Sequence, residues 1–199
     1  MMTPEKLRAI YGPASVTAAA KGITAFDGHC RQFIAHSPFL MLTTTDGTHL
    51  DVSPKGDAPG FVSVESDTTL LIPDRPGNNR LDGLLNVLAC PQVALIFLIP
   101  SVTETLRVNG TAEVLDDPDL LAPFAVKGRL PKTVLRVTAQ EIFTHCGKAP
   151  LRAGLWAPDS WPTTRPVPTL YEMVRDHAQM EVPSTSQDYV DKRYRDTLY

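Results

Sequence analysis

The chain has 199 residues, of which 43% are hydrophobic, and its formal charge at pH 7 is -3. A chain of this length fits one domain with terminal additions, and the core that it can bury needs neither disulfides nor a metal for stability. The charge balance provides no broad basic field, which argues against nucleic acid as the main partner.

Cysteine usage and hydropathy indicate the expected cellular compartment and whether the chain is expected to contact a membrane. Cys30, Cys90 and Cys146 form no CxxC pair, and their odd number is not typical of a disulfide framework, so we expect a reducing, cytoplasmic setting. Residues 1–6 lack the charged-then-apolar pattern of a signal peptide. The longest apolar run, residues 93–100, is about eight residues long, whereas a membrane-spanning helix needs ~20. The sequence therefore predicts no membrane partner.

Two helices are predicted before the first strand. Thr3 and Pro4 suit the cap and first turn of a helix over residues 3–10. Asp27 is a suitable N-cap for a second helix over residues 27–35, whose apolar side chains fall on one face.

From residue 39 onward the sequence is typical of strands. The runs 39–45 and 48–53 flank Asp46-Gly47, which predicts a tight hairpin turn in which both central residues adopt positive φ. The run 93–99 is apolar throughout, so we expect burial on both of its faces. Further strands are predicted at 61–64, 69–72, 104–115 and 133–146.

The predicted helix that ends near Ala89 carries leucines at helical spacing, and we expect these to pack on the sheet as one face: Leu81, Leu84, Leu85 and Leu88. A short helix is predicted from Asp117 to about Val126. Roughly seven strands with helices outside predict a mainly β fold, an antiparallel barrel that is closed or nearly closed.

Three regions are expected along the chain. Residues 1–26 form an N-terminal helical extension, residues 27–156 form the barrel domain, and residues 157–199 form a proline-rich C-terminal arm with a short helix near 169–180. The last residues show no anchoring pattern.

The most informative stretch is the loop over residues 72–82, which opens onto a helix and contains two arginines and two asparagines. Helix N-termini expose unpaired N–H groups and the positive end of the macrodipole, so such a loop suits a phosphate. About twenty residues earlier, Lys55 lies in a Pro/Gly-broken turn after a strand and could add charge. With no nucleotide-hydrolysing motif present, these segments predict a phosphorylated cofactor held by a β-rich domain.

Simpler interpretations of the same residues stay open. Asn78 and Asn79 suit a helix cap, beside which Arg80 would be a solvated side chain. Lys55 could equally be solvated, and Arg75 is either a second phosphate ligand or a charge at the rim. His145 and Cys146 do not predict a metal site, because adjacent strand residues point to opposite faces.

The order of the blocks Ser-Pro-Lys-Gly-Asp, Asp-Arg-Pro-Gly-Asn-Asn-Arg-Leu and Glu-Thr-Leu-Arg-Val-Asn-Gly resembles the pyridoxamine 5'-phosphate oxidase-like family. The resemblance covers about residues 27–156. It implies an antiparallel split β-barrel of the FMN-binding type and a homodimer with FMN at the subunit interface.

The resemblance also implies the ligand contacts. A strand that ends in a basic residue would lie beside the flavin ring and reach the phosphate. The loop before the helix would hold the phosphate, and one position on a later strand would touch the flavin. The corresponding residues are Val52, Ser53, Pro54, Lys55, Pro73, Arg75, Asn78, Asn79, Arg80 and Thr105.

The family implies an FMN-dependent oxidoreductase that transfers hydride or electrons between a nicotinamide cofactor and a small-molecule acceptor. The C-terminal substrate segment of the pyridoxamine oxidases proper is absent from the sequence, so oxidation of pyridoxamine phosphate is not expected. One alternative is a non-catalytic module that binds flavin or another planar cofactor for sensing or storage. Another is a reductase that acts on free flavin and holds it loosely.

Overall fold

A seven-stranded antiparallel sheet forms the centre of the computed structural model, which describes residues 1–181 and 186–199. Each neighbouring pair in the strand order β2-β1-β5-β6-β7-β4-β3 is antiparallel. The predicted fold class, mainly β with flanking helices in an antiparallel split barrel, is confirmed. The strands are β1 (Phe39–Thr45), β2 (Leu50–Gly56), β3 (Ser63–Val64), β4 (Thr69–Pro73), β5 (Gln92–Leu98), β6 (Thr105–Leu115) and β7 (Val134–His145).

Helices flank this sheet and precede it in the chain. Asp27 accepts a hydrogen bond from the Cys30 amide at 2.8 Å, which confirms the predicted cap. None of the described helices has the length and apolarity that crossing a bilayer requires. Residues 182–185 of the predicted C-terminal arm lie outside the described residues. The helices are α1 (Pro4–Tyr11), α2 (Val16–Ala20), α3 (Gly28–His36), α4 (Asp82–Ala89), α5 (Pro118–Leu121), α6 (Lys148–Ala153), α7 (Leu170–Ala178) and α8 (Gln187–Asp196).

One face of the sheet holds the hydrophobic core. Alternate side chains of the central strands point inward, as the two-residue period of a strand requires, and α3 and α4 cover them. The fully buried members of this cluster include Ile34, Leu40, Leu42, Leu70, Ile72, Phe97, Leu106, Val108, Val137 and Ile142.

The other face of β5 is only partly covered. Val93, Leu95 and Phe97 are buried, whereas Ala94, Ile96 and Leu98 are half-buried. The prediction of a strand buried on both faces is therefore wrong for the single chain, because in an antiparallel sheet only one face packs on the core. An apolar strip of partly exposed side chains remains on the outer face.

The leucine face of α4 also differs from the prediction. Val87 is buried and Leu84 packs against the core, but Leu81, Leu85 and Leu88 are 49%, 56% and 72% exposed. The leucine spacing correctly predicted a helix with an apolar face. It predicted the wrong buried face, because the pattern did not include Val87.

The first hairpin uses a longer turn than the predicted one. Thr45 and Leu50 are the last paired residues, and of the two central residues only Gly47 has positive φ, at 93°. Asp46 accepts hydrogen bonds from the amides of His49 and Thr48, and these bonds lower the pKa of Asp46 to about 2. The side chain of Asp46 thus organises a four-residue loop.

Lys55 lies within β2 rather than in a turn after a strand, so the prediction from the turn residues is wrong. The strand that ends in a basic residue, which the family resemblance implies, is present. Pro54 is paired opposite Met41 in the middle of this element. The strand tolerates a proline because β2 is an edge strand, whose outer side needs no ladder hydrogen bonds.

We expect Gly110→Ala to destabilise the protein by about 3 kcal/mol, at the upper end for overpacked sites. Gly110 lies at the register shift between β6 and β7, and a Cβ there would overlap the carbonyl oxygen of Thr138. Gly28→Ala is the matched control, because no described atom lies within 4 Å of the added carbon. Urea unfolding curves give the free energy of unfolding of both variants. Equal values would contradict this account of the register shift at Gly110.

Candidate functional site

The split in the barrel lies between β2 and the end of β4, which are not neighbours in the strand order. Two ion pairs cross it. Lys55 Nζ lies 2.7 Å from Asp74 Oδ1, and Arg75 Nε lies 2.6 Å from Asp57 Oδ2. Side chains near the ends of β2 and β4 therefore bridge the gap between these two strands.

A cleft of about 1200 Å³ opens beside these pairs. Its walls are the edge strand β2, the loop 74–81, the first turn of α4, the segment 129–133 and the segment 196–199. An edge strand whose partner is missing on one side makes room for such a cleft, because no further strand fills the space.

The loop before α4 has a conformation suited to anions. Asn79 and Leu81 adopt positive φ of 58° and 64°, and the Arg80 amide donates to Asn78 Oδ1 at 3.0 Å. Leu81 rather than an asparagine occupies the N-cap, where among the described residues no side chain caps the helix. The first amides of α4 therefore keep their donors for a ligand or solvent.

Asp51 lies close to these amides. A Cβ on Gly83 would be 3.3 Å from Asp51 Oδ2, so the glycine allows this carboxylate to approach the start of the helix. A carboxylate here is stabilised by the helix macrodipole. It also takes up part of the positive potential, so a bound phosphate would depend more on the cationic side chains of the cleft.

Cations slightly outnumber carboxylates in the described lining. The five cations are Lys55, Arg75, Arg80, Arg129 and Lys132, and the four carboxylates are Asp51, Asp74, Asp82 and Asp196. The sequence analysis missed Arg129 and Lys132. The signal that identified Lys55, a cation in a loop broken by glycine and proline, is also present around Gly128 and Pro131.

Asp57 is the most buried charged group beside the cleft, with its side chain 4% exposed. Burial alone would raise its pKa, but hydrogen bonds from the Tyr199 hydroxyl at 2.5 Å, the Ala58 amide at 2.7 Å and Arg75 hold the pKa of Asp57 below its ordinary value. Arg75 also donates to the carbonyl of Phe124 at 2.8 Å. This cluster holds two residues of the cleft lining, Arg75 and Tyr199, in place.

The segment 186–199 packs back on the barrel, so the prediction that the last residues lack an anchor is wrong. Val190 of α8 is 2% exposed, and the hydrogen bond from Tyr199 reaches Asp57 across 142 positions of sequence. Arg129 Nη1 also donates to the main-chain oxygen of Tyr199. Contacts at this separation have no local signature, which is why sequence patterns missed them.

The structure brings most of the predicted site residues together. Pro73 is buried at the end of β4 and is not among the residues that line the cleft. Thr105 is 7% exposed on β6, separated from β2 by β1 and β5, so it does not reach the cleft of its own chain. The predicted residues that line the cleft are Val52, Ser53, Pro54, Lys55, Arg75, Asn78, Asn79 and Arg80.

Comparisons with known proteins agree with this fold. The family model described as pyridoxamine 5'-phosphate oxidase matches residues 26–146. A variant of HupZ from Group A Streptococcus is 16% identical with a TM-score of 0.50, over 60% of this chain and 98% of that chain. At this identity the likeness supports the fold alone.

Two further crystal structures show weaker likeness. A putative pyridoxamine 5'-phosphate oxidase from Lactobacillus delbrueckii is 22% identical, with a TM-score of 0.47 over 62% of this chain and 98% of that chain. An FMN-binding protein from Syntrophomonas wolfei is 14% identical, with a TM-score of 0.46 over 58% and 83%. Comparison with the curated proteins found no similar sequence.

We expect Asp57→Asn to lower the free energy of unfolding by about 3 kcal/mol, because it leaves Arg75 half-enclosed without its counter-ion. Asp67→Asn is the control, since the Asp67 side chain is 85% exposed in its pair with Arg31 and such pairs contribute ~1 kcal/mol or less. Chemical denaturation of the three proteins at pH 7 measures the difference.

The same comparison has a defined pH dependence. The pKa of Asp57 is lowered in the folded state, so its contribution is complete above its unfolded pKa of ~3.9 and is lost as the pH falls through the folded pKa. The stability gap between wild type and Asp57→Asn should shrink below about pH 4. A gap that stayed constant from pH 6 to pH 3 would show that the charge of Asp57 is not what stabilises the cluster.

Proposed function

Since the chain belongs to the pyridoxamine 5'-phosphate oxidase family, we propose that it binds FMN in the cleft and acts as an oxidoreductase. The observation that carries the proposal is that five cations and the uncapped start of α4 converge on one cleft beside an edge strand. This donor set suits a phosphate monoester, and its surroundings suit a planar ring.

The residues of the cleft fit FMN in size and chemistry. A volume of about 1200 Å³ lies slightly above the usual ~300–1000 Å³ of small-molecule sites, which leaves room for a flavin and a second small molecule. Val52 and Pro54 on β2 and Leu130 and Pro131 opposite provide apolar surface for the ring. The cations of the lining provide donors for the phosphate.

Arg80 and Lys55 would hold the phosphate by exchanging their present partners. Arg80 is paired with Asp82 at 2.7 Å, but its side chain is 73% exposed, and a pair this exposed contributes little stability. Lys55 and Asp74 are 21% and 20% exposed, so moving Lys55 away from Asp74 costs more. Arg80 is therefore the cation most readily available to a ligand.

FMN when bound supplies hydride and electron transfer, for which we propose a nicotinamide cofactor as donor and a small molecule as acceptor. The chain's own residues would bind, orient and exclude water. The described lining contains no histidine or cysteine, and its buried carboxylate neighbour Asp57 is held as an anion. A reaction that needs no protein base suits this lining.

The same lining favours a second candidate, a non-catalytic module that binds flavin for sensing or storage. Nothing in such a role requires a proton donor or acceptor at the ring. A reductase that acts on free flavin would differ in binding the flavin loosely. The cytoplasmic location predicted from cysteine usage belongs to all these proposals.

We further propose a homodimer with FMN at the subunit interface. The support is the outer face of the sheet, where Phe39 is 38% exposed beside the half-buried Met41, Ile96 and Leu98. A second copy covering this strip would bury the outer face of β5. Burial of both faces is what the apolar sequence of β5 predicts. Thr105 could then approach the cleft of the partner rather than its own.

Purified protein should be yellow, with flavin absorbance that NADPH bleaches and a small acceptor restores. A spectrum recorded before and after NADPH addition tests this. Flavin absorbance without reduction would favour the binding module, and flavin lost on dialysis would favour the free-flavin reductase. A protein that carries no flavin and leaves the absorbance and fluorescence of added FMN unchanged would overturn the flavin proposals.

Arg80→Ala should weaken FMN binding by roughly 1.5–3 kcal/mol, because one charge-assisted hydrogen bond to the phosphate is lost. Arg175→Ala is the matched control, since Arg175 is 53% exposed and pairs with Asp176 at 2.9 Å outside the cleft. Fluorescence titration with FMN compares the three proteins. Equal affinities would show that the phosphate lies elsewhere.

Ile96→Glu should convert the dimer to a monomer of 21.8 kDa, because a charge on the outer face of β5 opposes burial of that strip. Val16→Glu, on a residue 87% exposed in α2, is the control. Light scattering after size-exclusion chromatography gives the mass. A wild-type mass equal to one chain would reject the homodimer.

A further inference from the structure

Tyr199 lines the cleft and belongs to a segment outside the region that the family model matches. Its hydroxyl donates to Asp57 Oδ1 at 2.5 Å. Its ring centre lies 5.7 Å from the Arg75 guanidinium and 5.6 Å from Lys127 Nζ, within the range of cation–π contacts. One side chain thus contacts the buried acid and two cations beside the cleft.

The hydroxyl of Tyr199 determines how Asp57 engages Arg75. Oδ1 of the carboxylate accepts from Tyr199 and the Ala58 amide, which leaves Oδ2 for Arg75 Nε. A free carboxylate tends to take arginine through two parallel hydrogen bonds. Because Oδ1 is occupied, Arg75 meets Asp57 through one nitrogen only.

The remaining nitrogens of Arg75 are divided between the protein and the cleft. Nη1 donates to the carbonyl of Phe124 at 2.8 Å. Nη2 has no partner among the described residues, and Arg75 lines the cleft. Because Tyr199 and Ala58 occupy Oδ1 of Asp57, Nη2 of Arg75 keeps donors that an anion in the cleft can use.

We propose that Tyr199 is a positioning residue for the phosphate of the ligand, acting through Asp57 and Arg75, and that the segment 196–199 retains the bound ligand as a wall of the cleft. The inference rests on the proposed function, in which the cleft takes a phosphorylated flavin. It goes beyond that function by assigning phosphate recognition to a residue far along the chain from both loops that the family resemblance marks.

FMN and riboflavin distinguish positioning from a merely structural role, because they differ only in the phosphate. Tyr199→Phe keeps the ring and removes one of the two hydrogen bonds to Oδ1 of Asp57, so that Oδ1 can compete for Nη2 of Arg75. FMN should then bind about tenfold more weakly while riboflavin affinity stays unchanged. Tyr189→Phe, on a side chain 56% exposed in α8, should change neither affinity. Equal losses for both ligands in Tyr199→Phe, or no loss for FMN, would overturn the positioning role.

Retention by the wall has its own measurement. Tyr199→Ala also removes the cation–π contacts, so FMN should dissociate at least tenfold faster than from wild type. Inorganic pyrophosphate is the second probe: it should slow amide exchange over residues 187–199 in wild type and not in Tyr199→Phe. A dissociation rate that Tyr199→Ala leaves unchanged would overturn the wall.

The two probes also separate the inference from the proposed function. If wild type binds neither FMN nor riboflavin but pyrophosphate still slows amide exchange over residues 187–199, the flavin proposal fails and the coupling through Tyr199 stands. If wild type binds FMN but neither FMN nor pyrophosphate slows amide exchange over residues 187–199, the flavin proposal stands and the inference is rejected. Thermal unfolding of each variant confirms that the proteins compared are folded.

Discussion

The pair of ion pairs across the split is the interaction on which the rest of the site depends. If β2 and β4 were hydrogen-bonded neighbours, the ladder would fill the space that the cleft now occupies. Side chains bridge the gap instead, from Lys55 to Asp74 and from Asp57 to Arg75. A side-chain bridge leaves the backbone of β2 exposed toward the cleft, so the same arrangement that closes the barrel creates a place for a ligand.

The two bridges differ in burial, and this difference assigns them different tasks. Asp57 and Arg75 are 4% and 16% exposed, so breaking this pair would leave an uncompensated charge. Lys55 and Asp74 are about one fifth exposed and face the cleft more openly. The inner pair holds the geometry of the barrel, whereas the outer pair can be exchanged for contacts to an anion. Cations held by carboxylates also keep the cleft close to neutral before a ligand arrives.

Sequence patterns predicted what is local and missed what is contributed from a distance. The strands of the sheet, the caps of α1 and α3 and the loop that opens onto α4 follow from periodicity and turn chemistry within a few residues, and the structure has them. The choice of side on α4, the position of Lys55 within an edge strand and the contact of Tyr199 with Asp57 depend on what packs against each element. No window of neighbouring residues contains that information. Arg129 and Lys132 are a different case, because the rule that identified Lys55 applied to them as well.

The disagreement over β5 is itself informative. Seven residues with one polar member form a strand that is apolar on both sides, yet the single chain covers only the side of Val93, Leu95 and Phe97. In a strand with one face in solvent, apolar and polar residues usually alternate, and in β5 they do not. The free energy of covering Ile96 and Leu98 is therefore available to an association rather than to folding.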